Sequence, residues 1–125
     1  MPPISTFDRS RITAEITFLR TDEGGRKSAP DFSGYWFLHV VVQDRSIRQA
    51  KVMGNKIQEL YHPLAIIEAP AVFQLGDTAK FVLAPMYYPN DRFPEFQPGV
   101  MFTAREGSRI IAHGVVLSRE EPAVT

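Results

Sequence analysis

Three histidines, His39, His62 and His113, are the side chains best suited to proton transfer or metal ligation near neutral pH. None has a second histidine three or four residues away, so no helical pair is available to share a metal. Ser33-Gly34 lacks the flanking glycines that expose a serine nucleophile on a sharp turn. Gly54-Asn55-Lys56 is a fragment of a phosphate loop and omits its hydroxyl and its first glycine. The close carboxylate pairs are Asp22 with Glu23, Asp91 with Glu95, and Glu120 with Glu121, and they fall in segments that read as turn, loop and tail, where acids are solvated. There is no cysteine, which excludes thiol nucleophiles, thiolate metal sites and disulfides. The expectation is a chain that is not an enzyme and uses no cofactor, metal or nucleotide. The remaining route to catalysis is His39 or His113 meeting a carboxylate in a pocket.

Binding chemistry is better represented. Bare backbone and positive charge coincide in Gly24-Gly25-Arg26-Lys27 and again in Arg105-Glu106-Gly107-Ser108-Arg109, a pairing that suits phosphate or carboxylate. The same residues also suit turns whose tips are kept soluble by cations, and composition does not choose between the two. A third basic run, Arg45, Arg48, Lys51 and Lys56, reads as a solvated face. Tyr87, Tyr88, Phe93 and Phe96 lie among Pro89, Pro94 and Pro98, which predicts an ordered aromatic loop over 86–98 able to bind a protein partner.

These loops need strands to hold them. Ile12, Ala14, Ile16 and Phe18 alternate with Thr13, Glu15 and Thr17, a period of two that places the apolar set on one face of a strand. The run Tyr35–Val42 is aromatic and β-branched and reads as a central strand buried on both faces. Residues 78–86 form another strand with Pro85 near its end. Residues 100–117 read as a hairpin turning through Glu106-Gly107-Ser108. The stretch 57–64 reads as a short helix stopped by Pro63 or as an irregular loop. Many strands, Gly and Pro turns and no long helical period point to an all-β barrel or sandwich.

The 125 residues suit one domain, with a core from about 11 to 118 and short tails. Hydrophobic residues at 44% and charged residues at 22% are those of a folded globular protein. Fourteen basic residues balance fourteen acidic ones (Lys+Arg 14, Asp+Glu 14), so a nucleic acid or an anionic membrane would have to be held by a local patch. No apolar run approaches the ~20 residues of a membrane helix, and the start Met1-Pro2-Pro3-Ile4 lacks the basic and apolar regions of a signal peptide. A soluble cytoplasmic protein is expected.

Ile12-Thr-Ala-Glu-Ile-Thr-Phe-Leu19, Asp22-Glu-Gly-Gly-Arg26, Phe32-Ser-Gly-Tyr35, Gly76-Asp77 and Phe102-Thr-Ala-Arg-Glu-Gly-Ser-Arg-Ile-Ile-Ala-His-Gly-Val-Val116 follow one another in an order that resembles the third domain of elongation factor Tu. The likeness covers more than half of the chain. It implies a six-stranded antiparallel barrel of Greek-key type without the GTPase domain. In that family the barrel performs no catalysis; its loops touch the T stem of aminoacyl-tRNA, and other surfaces meet the GTPase domain and the exchange factor. By resemblance, Arg26, Lys27, Arg105, Glu106, Gly107 and Arg109, with Gly25 beside them, occupy the positions nearest the tRNA backbone. The chain departs from the family at Trp36-Phe37-Leu38, where the family continues Arg-Pro-Gln, and in the longer segments 43–74 and 86–98. The expected function is a protein-interaction module of regulatory or immunity type linked to translation, with a tRNA-binding or structured-RNA-binding accessory as the alternative.

Overall fold

The computed structural model describes residues 11–30, 37–49, 52–53, 56–57, 61–85 and 96–120. Among these the regular structure is β1 (Arg11–Phe18), β2 (Phe37–Val42), β3 (Val52–Met53), β4 (Lys56–Ile57), β5 (His62–Glu68), β6 (Thr78–Pro85), β7 (Met101–Glu106) and β8 (Arg109–Glu120), with one 3-10 turn at Thr21–Glu23. Six strands close into a barrel in the order β1-β6-β5-β2-β7-β8, and β8 returns to β1. Every pairing is antiparallel. β2, β5 and β6 form consecutive antiparallel neighbours and β1 lies beside β6, which is a Greek key. β3 and β4 make a separate two-stranded ribbon between β2 and β5. No helix among the described residues is long and apolar enough to cross a membrane.

The alternation in β1 does what a pleated strand requires: Ile12, Ala14, Ile16 and Phe18 are fully buried and the residues between them are partly exposed. Phe18, Phe81, Phe96 and Phe102 fill the barrel together with aliphatic side chains from every strand of the ring. Each large apolar side chain so enclosed contributes about 1.5–3 kcal/mol from removed surface. Phe73, in the β5–β6 connection, meets Phe18 edge-on at 5.2 Å and Phe81 at 5.6 Å, closing one end of the core.

Two expectations are corrected here. Of residues 57–64, the described ones are mostly strand and not helix: Ile57 ends β4, Tyr61 is irregular, and His62–Leu64 begin β5. Pro63 is tolerated because it faces His39 on one neighbouring strand while its missing N–H leaves the pairing around it intact. β2 is buried on both faces only toward its C-terminal end: Leu38 and Val40 enter the core and Val41 is covered on the outer face, while Phe37 and His39 are exposed.

The register assigns the two barrel ends. The C-terminal ends of β1, β5 and β7 and the N-terminal ends of β2, β6 and β8 share one end, because Thr17 lies opposite Thr78, His39 opposite Arg105, and Phe37 opposite Ala65. Both glycine-containing basic loops therefore project from this end.

Candidate functional site

The first loop leaves β1 through Leu19 and reverses at Thr21–Glu23. The Arg20 amide donates to Glu23 Oε1 at 2.9 Å, and the Gly25 amide donates to the Arg20 carbonyl at 3.0 Å. Gly25 sits so close to the chain that a Cβ there would lie 2.3 Å from the Leu19 carbonyl oxygen, a contact no side chain permits. The Thr21 hydroxyl donates to the Arg26 carbonyl at 2.6 Å, and Arg26 Nε to the Ser28 carbonyl at 3.1 Å. The loop is thus stitched from within.

The second loop is the turn between β7 and β8, where Gly107 has φ 59°, the left-handed region open to glycine. An ion pair between Arg26 and Glu106 ties the two loops together across 80 residues of sequence. Lys27, Ser108 and Arg109 are exposed around it.

Arg105 does not join them at the surface. Its side chain leaves the core-facing series of Phe102 and Ala104, yet Arg105 is 2% exposed. Nη1 donates to the Tyr61 hydroxyl at 3.2 Å and Nη2 to Gln43 Oε1 at 3.1 Å, and the guanidinium lies 5.5 Å from the centre of the Tyr61 ring. The Tyr61 hydroxyl in turn donates to the Gly107 carbonyl at 2.8 Å. A residue expected to face a tRNA backbone is instead an internal tie that holds Tyr61 against the turn.

Tyr61 extends the surface toward β2. Its ring is 6.3 Å from that of His39, which is 5.7 Å from Phe37, so a row of three rings runs from the turn along the outside of β2. Phe37 is 44% exposed, a large apolar side chain left at the surface. The period of two in β2 could have placed Phe37 and His39 outside, opposite in phase to Leu38 and Val40. Tyr61 comes from the segment just before β5, within the aromatic stretch 57–64 that departs from the elongation factor pattern.

The aromatic loop expected over 86–98 fares differently. Tyr87, Tyr88 and Phe93 lie outside the described residues, and Phe96 is fully buried, stacked edge-on against His62 at 5.3 Å. Phe96 is a core side chain with no surface to offer a partner. His113 meets an arginine: Arg45 Nε donates to His113 Nδ1 at 3.1 Å. Burial pushes the His113 imidazole below its ordinary range, and Arg45 and then Arg48 push it further, against a weaker opposite pull from Glu23. Arg45 accordingly departs from the solvated face expected for the third basic run.

What the assembled surface can do is bind. Paired charges, two exposed cations and three aromatic rings lie side by side on a rigid closed scaffold, with the loops braced against each other before any partner arrives. No family model matches this chain, and no curated protein matches it either.

Proposed function

We propose that the protein is a non-enzymatic interaction module that engages another protein through this end of the barrel, in the manner of the elongation factor Tu third domain it resembles. The observation that carries the reading is the continuity of the surface: the Arg26–Glu106 pair joins the two loops, and the Tyr61–Gly107 bond joins them to the row Tyr61, His39 and Phe37. Aromatic side chains with neutralised charge at their margin are the composition of a protein interface centre. A nucleic-acid surface draws its affinity from cations that reach phosphate. Of the four cations expected at the loops, Arg105 is buried and Arg26 is held by Glu106, which leaves Lys27 and Arg109 exposed.

The resemblance names the partners to try first: the GTPase domain of elongation factor Tu and its exchange factor. Calorimetric titration of the chain with each purified protein should show saturable binding that weakens at least about tenfold in Phe37→Ser, the loss of roughly one anchoring contact. A parallel titration with tRNA at two salt concentrations should show no more than non-specific affinity, unchanged by Lys27→Ala with Arg109→Ala. Steeply salt-dependent tRNA binding that this double variant abolishes, with no binding of either protein, would replace the reading with an RNA-binding one.

A further inference from the structure

Val41, Thr103 and Arg105 alternate with core residues and so point away from the barrel interior, yet they are 6%, 0% and 2% exposed. An outward face this dry is covered by other parts of the chain. Part of the cover is the segment that leaves β2. Gln43 remains in ladder contact, its amide donating to the Met101 carbonyl at 3.2 Å, and its side chain accepts from Arg105. A tight turn follows, in which the Ile47 amide donates to the Asp44 carbonyl at 3.2 Å and the Ser46 amide to Asp44 Oδ1 at 2.8 Å. From this turn Arg45 reaches down to His113 on β8.

We propose that residues 43–49 form a strap across the outer face of β7 and β8, and that protonation of His113 releases it. A guanidinium has donors and no acceptor, so the Arg45–His113 bond exists while Nδ1 keeps its lone pair. Adding a proton there sets donor against donor and cation against cation. Among the described residues, two further charged groups act on the ring. Arg48 adds positive charge from the strap itself, and Glu23 adds negative charge from the 3-10 turn after β1. The direct strand neighbours, Thr17 on β1 and Thr103 on β7, do not ionise, and the next charged residues along those strands are Glu15 and Arg105. Among the described residues, two cations against one acid leave the protonated ring repelled.

The position of the transition follows from the same surroundings, since burial and the two arginines hold His113 neutral to lower pH than a free imidazole. The Ser46 hydroxyl and amide both bond the Asp44 carboxylate and lower its pKa, which favours the ionised form that closes the turn. The turn therefore keeps its shape while its attachment is lost, and the strap hinges at Gln43, whose amide does not titrate.

The inference is independent of any partner and is tested on the whole chain by NMR. The His113 ring signals give its midpoint, and the Arg45 Hε exchange rate and the paramagnetic broadening of the Thr103 methyl by a soluble agent report the strap about 1.5 pH units on either side. Both should rise at least about fivefold on the acid side, beyond the intrinsic pH dependence of exchange, while the Ile12 and Leu83 methyls remain shielded. In His113→Gln, where the amide oxygen accepts from Arg45 without titrating, the acid response should vanish and the strap stay closed. Unchanged Arg45 and Thr103 signals across the His113 titration, the same response in His113→Gln, or simultaneous exposure of Ile12 and Leu83 would each overturn the proposal.

Discussion

At the scale of single residues, the side chain that organises the candidate site is the one removed from view. Arg105 holds Tyr61 by a hydrogen bond and through the ring face, and Tyr61 holds Gly107. Tyr61→Phe keeps the ring and deletes the hydroxyl, so it should lower stability by about 1.5 kcal/mol, the value of a hydrogen bond to a charged group. Urea denaturation would measure this, and a change below a few tenths would mean that water replaces the hydroxyl without cost. The burial of Arg105 was not legible in sequence because its partners are 44 and 62 positions away. A turn arginine beside Glu-Gly-Ser looks solvated until β5 and the end of β2 arrive over it. Phe96 differs for the opposite reason: prolines and aromatics around it describe a surface loop, while distant residues, His62 on β5 among them, enclose it in the core.

Among the elements, β1 and the β7–β8 hairpin were readable because each carries its instruction locally. In β1 the instruction is a strict alternation, and in the hairpin it is a left-handed glycine at the turn. β5 lacked such a signal, since Pro63 and the adjacent histidine resemble a helix stop more than a strand start, and its pairing with β2 and β6 supplied the order that its own residues did not. β8 shows how closely the elements fit. At Gly114 a Cβ would meet the Phe102 ring at 2.6 Å and the Glu15 carbonyl oxygen at 2.7 Å, so β8 passes between a core ring and the β1 backbone with no spare volume. Gly114→Ala should therefore cost about 2 kcal/mol through overpacking, visible as a lowered urea midpoint with an unchanged slope. A wild-type midpoint would show that the Phe102 ring moves aside freely.

For the molecule as a whole, long-range strand pairing is the step expected to limit folding. β1 pairs with β6 and with β8, so the first described strand is completed by strands from the other end of the chain. Contacts this distant in sequence predict refolding in roughly milliseconds to seconds, far slower than a helical bundle of equal length. Stopped-flow dilution from urea checks it, and a microsecond phase carrying the full amplitude would contradict it. The same pairing has an architectural consequence. Arg11 lies opposite Glu120, so the chain enters and leaves the barrel side by side, at the end remote from the two loops and the ring row. A segment joined directly at Arg11 or Glu120 leaves from the far pole like a handle. The domain can thus be inserted into a host protein through two adjacent junctions, or anchored to a sensor surface, with its recognition end still facing outward.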